Sequence, residues 1–284
     1  MTVEETEALR ERLLAGWDQA AAGWGRQADR MNHDALPVSR WMLDHTGPLP
    51  GDTVLELGAG SGDTGLMAAA ELGLGGTVII SDASVAMLEI PREKAAAAKL
   101  GNVEFRQLQL EWIDLPTASV DVVLCRWAIM LTLDPGTALR ECRRVLRPGG
   151  RLAVAVWDST QANPWASLVT NAVRDLGYAK PRPVHGPGLF SLSDAEALQN
   201  LLADAGFLDI TLDRIGLQRV YRDVVDWLGE TRDLSIPFQA LWRRLDDDAR
   251  RKLRELLIER GGAHRQADGT LVFPASCIVL AAGA

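Results

Sequence analysis

Gly58, Gly60 and Gly62 stand two apart in "GDTVLELGAGSGDTG", residues 51–65, directly after an apolar run that reads as a strand. Glycine at alternate positions suits a tight turn in which the missing Cβ admits positive φ and lets a ligand lie against the main chain. An ordinary strand-to-helix turn needs only one glycine. A phosphate cradle fits poorly, because Lys followed by Ser or Thr should come after the last glycine, and Gly62 is followed by Asp63 and Thr64. Asp82 ends the next strand-like run, 82 − 62 = 20 positions beyond the last glycine. A carboxylate there can accept hydrogen bonds from both hydroxyls of a ribose. Glu56, two positions before Gly58, would repel a pyrophosphate but could receive a cationic amino group. Together these residues call for a nucleoside cofactor carrying an amine.

The elements that must position them follow from the hydrophobic pattern. Residues 5–45 read as helical, with Leu9, Leu13, Trp17, Ala21 and Trp24 recurring at three- and four-residue steps. From Thr53 short β-branched runs alternate with helical stretches: "TVLELGA", a helix from about 62, "GTVIISDA", the helix "SVAMLEIPREKAAAAKL", then "NVEFRQLQ". "VDVVLCRW" with the helix "GTALRECRRVL" comes next, and "GRLAVAVWD" follows the turn "RPGG". Such alternation builds a parallel sheet with crossover helices, here of at least five strands. Residues 159–190 are too polar, and at their end too rich in Pro and Gly, for a core element, and read as a covering loop. Ser193 then caps a helix through Ala205, a strand follows near "LDITLDRIGL", and residues 223–260 are inserted helices before the last strand, "LVFPASCIVLAAG".

Composition narrows the partners. A net charge of −8 with no dense Lys/Arg segment argues against a nucleic-acid surface, and no uncharged run approaches a membrane span. Arg140, Arg143, Arg144 and Arg147 recur at helical spacing and read as a solvated face. Cys125, Cys142 and Cys277 are scattered and odd in number, so neither a disulfide framework nor a metal site is expected. The acidic, helical N-terminus lacks the pattern of a signal peptide, and a cytoplasmic location is expected.

"VLELGAGSGDTG", "SDASVAML" and "RECRRVLRPGGRLAVAVW" together, in that order, resemble the class I S-adenosylmethionine-dependent methyltransferases, in particular the ubiquinone and menaquinone C-methyltransferase branch. The likeness is strong over about residues 50–160; "VSRWMLD" and "FSLSDAEALQNLLADAGF" extend it more weakly. It implies a Rossmann-like α/β fold with a seven-stranded, mostly parallel sheet in the order 3-2-1-4-5-7-6, strand 7 antiparallel. It also implies S-adenosylmethionine as cofactor and a small-molecule methyl acceptor. Gly58, Ala59, Gly60 and Gly62 would pass the methionine end of the cofactor, Glu56 its amino group, and Asp82 with Ala83 its ribose. Met87 would pack on the adenine, or is simply a buried position of its helix. Where the family has an acid after the third strand, the alignment puts Gln109 and Leu110, with Glu111 as the other candidate for the adenine amino group. Arg126, Trp127 and Met130 would line the meeting point of cofactor and acceptor; for Trp127, core packing is the competing reading.

Because a sulfonium methyl is already a good electrophile, positioning and exclusion of water are the main tasks, and a base is optional. His33 and His185 are the candidates for one, with Arg126 as a further catalytic residue. Trp17, Trp24, Trp157 and Trp165 fall in segments expected over the cleft and suggest an apolar or aromatic acceptor. The transfer would be to an oxygen, carbon or nitrogen nucleophile. The expected organisation is an N-terminal helical lid over 1–45, a cofactor-binding core over 46–158, the covering loop over 159–190, and the rest of the sheet over 191–284, in a monomer or homodimer. A nicotinamide-dependent oxidoreductase shares the glycine turn and Asp82 but lacks a Tyr/Lys pair; a non-catalytic ligand-binding protein of the same fold is the third reading.

Overall fold

The structure is a computed structural model that describes residues 3–179 and 186–284. Its centre is one seven-stranded sheet, ordered β3-β2-β1-β4-β5-β7-β6. Strands β1 (Thr53–Glu56), β2 (Thr77–Asp82), β3 (Val103–Gln107), β4 (Val120–Arg126) and β5 (Leu146–Trp157) run parallel, and β7 (Leu271–Gly283) is antiparallel to both β5 and β6 (Leu208–Tyr221). The expected order and the reversed last strand are therefore present. The central strands are apolar almost without interruption, as burial on both faces requires, and Val54, Val78, Val122, Val123, Leu152 and Val154 are wholly buried. Edge strand β3 instead alternates, with Glu104 and Arg106 exposed.

Helices α2 (Asp63–Leu72), α3 (Val85–Ala97) and α4 (Pro135–Val145) link the parallel strands. Arginines of α4 do more than face solvent: Arg144 donates to the carbonyls of Ile113 and Leu115 and to Glu141, tying the β3–β4 loop to the helix. The helix that follows the covering segment, α6 (Ala195–Asp204), starts one residue later than Ser193 suggests. Asp194 is its cap, accepting from the Glu196 and Ala197 amides, since a carboxylate there competes well with a hydroxyl.

Two features were not legible. Residues 159–190 contain a helix, α5 (Pro164–Asp175), with Pro at its first turn, where the missing N–H costs nothing. Beyond the last β5–β7 pair, Trp157 with Cys277, β6 and β7 continue as a two-stranded ribbon from Gly216–Ser276 to Tyr221–Leu271. That overhang is about 20 Å long at strand rise. Around it α5, α7 (Val224–Leu234), α8 (Ile236–Arg244) and α9 (Asp247–Arg260) enclose a second core, including Val169, Tyr221, Trp227, Leu253, Leu257 and Phe273.

The N-terminal segment is a single helix, α1 (Val3–Thr46). Its last turns belong to the main core through Met31, Ala35, Val38, Met42 and Leu43. Its earlier turns pass between α3 and the helices of the second core. There Gly23 approaches the Asp233 carbonyl so closely that a Cβ would stand 2.4 Å from it, which explains a glycine in a helix interior.

Candidate active site

The loop after β1 is built by Gly58, Gly60 and Gly62, all with left-handed backbones (φ 59°, 54° and 73°). A Cβ on Gly58 would lie 2.4 Å from the Ala128 Cβ, and one on Gly62 2.3 Å from the Pro91 Cβ, so both are also demanded by protein packing. Gly60 differs: the neighbour it would meet is the Trp24 ring of α1, at 3.2–3.3 Å. The Asp82 carboxylate fixes this loop, accepting from the Gly60 amide and the Ser84 amide at 3.0 Å each, while burial raises its pKa. The amide donors do not use up the four lone pairs of the carboxylate, so a ribose hydroxyl can still donate to it. Replacing Asp82 by Ala should weaken cofactor binding by about 1.5–3 kcal/mol, the scale of charge-assisted hydrogen bonds. Calorimetry on a variant with unchanged circular dichroism checks this; an unaltered Kd would remove Asp82 from the site.

Beneath the loop lies a buried charge cluster. Glu56 is 2 % exposed; its Oε2 packs on Gly65 at the start of α2, where a Cβ would stand 2.5 Å from it, without a partner in full hydrogen-bond geometry. Burial pushes its pKa up to about 8, and Arg126, Thr64 and Gly65 only partly offset this. Arg126, at the end of β4, is buried too; its Nη2 stands 3.6 Å from Asp63 Oδ2, and its Nη1 has no partner. Burial lowers the Arg126 pKa. Asp63 is shared, accepting also from Lys94 at 2.6 Å and the Ser61 hydroxyl at 2.5 Å. Sequence reasoning passed over Asp63, although it directly follows the glycine turn.

Trp127 has a left-handed backbone, φ 57°, an uncommon state for a bulky residue and a strain that clusters at functional sites. It turns the indole onto Trp157, stacked at 4.3 Å, and Trp165 meets Trp157 edge-on at 5.0 Å. Wholly buried Asn163 holds this column: it donates to the carbonyls of Asp158, Ser159 and Ser276 and accepts from the Trp165 indole. Nothing in the sequence singled it out beyond an Asn-Pro pair ahead of α5. Arg126 lies over the Trp127 ring at 4.9 Å, and Arg219 over Trp165 at 5.0 Å.

The other expected residues are placed as follows. Trp17 and Trp24 form an edge contact at 6.2 Å and pack with Ala20, Ala21 and Met87, beside the glycine loop and α3 rather than on the Trp157 column. Met87 is 2 % exposed. Met130 is buried, and its carbonyl receives the Gly188 amide and the Ser191 hydroxyl, anchoring the covering segment. Gln109 is exposed, bridged by its backbone to Trp112, whereas Glu111 is 12 % exposed in its side chain, accepts from the Asp134 amide at 2.6 Å and lies 3.7 Å from Arg10 of α1. Of the two candidates for the adenine amino group, Glu111 is thus the sheltered one. The Ala59 amide donates to the Ser81 carbonyl, the Ala83 carbonyl accepts from Gln107, and Leu110 comes within 3.6 Å of the Gly58 Cβ position. His33 is exposed, in an open groove with Asp34, Pro37, Gly216, Leu217 and Gln218, and is not brought to the Arg126 cluster. His185 lies outside the described residues.

The cluster suits the expected cofactor, because an amino-acid zwitterion offers an ammonium to Glu56 and a carboxylate to unpartnered buried donors. Among the described residues no group of His, Cys, Asp and Glu could hold a metal ion, and no helix is long and apolar enough to cross a membrane.

Comparison with known proteins decides between the cofactors that the glycine turn and Asp82 alone left open. A family model described as a methyltransferase domain matches residues 49–208. The ubiquinone/menaquinone biosynthesis C-methyltransferase UbiE of Escherichia coli O1:K1 is 29% identical over 205 residues, covering 64% of this chain and 79% of that protein. Among solved structures, the YcgJ protein of Bacillus subtilis superposes with a TM-score of 0.58 at 22% identity, covering 86% of this chain and 97% of that one. Phosphoethanolamine N-methyltransferase 2 of Haemonchus contortus, in complex with S-adenosyl-L-methionine, gives 0.53 at 19%, covering 87% and 52%. The chain therefore belongs to the class I methyltransferase-domain family and is an S-adenosylmethionine-dependent methyltransferase.

Proposed function

We propose that this methyltransferase acts on a small apolar or aromatic acceptor, held above the carboxyl ends of β4 and β5, and transfers the methyl in line to an oxygen, carbon or nitrogen nucleophile. The observation that carries this reading is the Trp127–Trp157–Trp165 column beside buried Arg126, with the strained backbone of Trp127 aiming its first ring. Trp127 and Trp157 are themselves part of the main core, 8 % and 3 % exposed, and Trp165 is half-buried, so an acceptor would meet the edge of the column, where aromatic surface offers contact area at low entropic cost. The quinone-biosynthesis name of the Escherichia coli relative supports the same choice.

S-Adenosylmethionine, when bound, supplies the activated methyl. The chain's own part is to bind, orient and dehydrate. On this reading Asp82 and the glycine loop hold the nucleoside half, Glu111 takes the adenine amino group, and α1 with the second core closes the cleft against water. No base is assigned: His33 stands in its open groove, His45 stacks on Trp41, and His264 lies against Phe273.

The test is acceptor-dependent formation of S-adenosylhomocysteine across phenols, quinols, aromatic amines and aliphatic amines. Turnover should be confined to the planar compounds, and Trp157→Ala should lower kcat/KM by about tenfold to a hundredfold, the cost of a lost aromatic contact and its packing. Turnover on aliphatic amines alone would overturn the acceptor class.

A further inference from the structure

Around the glycine loop and the cleft beside it, Glu56 Oε2, Arg126 Nη1, Trp24 Nε1, Trp127 Nε1 and Arg10 Nε are buried without a partner in hydrogen-bond geometry. Unpaired buried donors and acceptors are costly, and several in one region mark a place where a ligand completes the bonding. They come from β1, the end of β4 and α1. Among them Arg126 and Trp24 offer two donors and Glu56 a carboxyl that becomes an anionic acceptor once it gives up its proton, which is the complement of an α-amino acid zwitterion, whose carboxylate takes two donors and whose ammonium takes a carboxylate.

Sequence reasoning set Trp24 on the acceptor side. Its position is different: the benzo edge of its indole lies where a Gly60 side chain would be, on the loop that Asp82 fixes. Beside it α1 touches the cofactor half twice more, through Asp18 with Ser84 at 2.5 Å and Arg10 with Glu111 at 3.7 Å. Resting on the S-adenosylmethionine reading of the site, we propose that Trp24 is a positioning residue that donates its indole N–H to the cofactor's carboxylate, alongside Arg126, while Glu56 takes the ammonium. The amino-acid end of the cofactor thereby fastens α1 over the cleft. A nucleoside without that end fills the ribose and adenine contacts but leaves α1 unfastened.

A comparison of two ligands tests this without any acceptor, so the acceptor class has no bearing on the result. S-Adenosylhomocysteine carries the zwitterion; 5′-methylthioadenosine is the same thioether nucleoside without it. Trp24→Phe keeps the ring and removes the N–H, and a thermal melt confirms that it folds. It should bind S-adenosylhomocysteine about tenfold more weakly, the scale of one hydrogen bond to a charged group, with 5′-methylthioadenosine unchanged. Arg126→Lys, which keeps the charge but loses the fork, should show the same selectivity. Trp24 emission, taken as wild type minus Trp24→Phe, should shift with S-adenosylhomocysteine and not with 5′-methylthioadenosine. Equal weakening of both ligands would show Trp24 to be only a wall of the nucleoside pocket. An unchanged affinity for both, or a shift seen only when an acceptor is added, would also overturn the assignment.

Discussion

The stability of the cofactor-free protein is expected to fall as pH rises from about 4.5 towards about 8, and Glu56→Gln is expected to reduce that slope to the part that Asp82 and Asp34, raised by burial too, contribute. Burial raises the Glu56 pKa in the fold above its unfolded value of 4.5. The native state therefore holds a proton that the unfolded chain has lost. The stabilising contribution is complete below about 4.5 and is lost as pH climbs through the folded pKa. At about 1.4 kcal/mol per pH unit, the range corresponds to on the order of 5 kcal/mol, an upper bound for a group with a cation beside it. A cationic ammonium arriving at Glu56 favours the ionised form, so cofactor binding near pH 7 should release close to one proton. Calorimetry in buffers of different ionisation enthalpy reads that number as wild type minus Glu56→Gln. Equal proton release in the two proteins would take Glu56 out of the contact.

Arg219→Met is expected to destabilise the protein by about 3–5 kcal/mol, the cost of leaving buried acids without their cation. Arg219 is 1 % exposed and pairs with Asp34 of α1 at 2.9 Å and Glu230 of α7 at 2.5 Å, and the Tyr221 hydroxyl donates to Glu230. Burial opposes its charge, yet Tyr221, Glu230 and Asp34 outweigh that and raise its pKa. This one guanidinium joins α1, the β6–β7 ribbon and the second core. Arg26 with Asp233 at 2.6 Å and Arg30 with Asp226 at 2.9 Å extend the joint outward. Denaturant unfolding should show the loss, and Arg219→Met combined with Glu230→Gln should recover part of it by removing a stranded charge. A single variant within about 1 kcal/mol of wild type would mean the network is solvated and weak.

Local chemistry was legible in the sequence. The glycine turn, the carboxylates of Glu56 and Asp82 and the strand runs are each set by residues near one another in the chain, and their spacing carries the geometry. Contacts between distant segments were not. Arg219 sits in a strand whose period says nothing of α1, and its partners, Asp34 and Glu230, are separated from each other by most of the chain. The 159–190 segment read as loop because its Pro and Gly gather at one end, while the apolar residues of α5, Val169, Ala172 and Val173, have meaning only against Trp227 and Leu257. Past the end of β3, strand period no longer sets direction, and the turn from Gln109 to Trp112 moves the sheltered acid to Glu111.

The two cores meet at the overhanging β6–β7 ribbon, and that has an evolutionary consequence. The family match spans residues 49–208, so α1, the ribbon and α7–α9 lie outside it. With the second core as roof of the cleft, as proposed above, substitutions in it would alter that roof while the Asp82 anchor of the glycine loop stays in place. Descendants of such a chain can change the molecule they accept by drift in one module, without giving up the cofactor they inherited in the other.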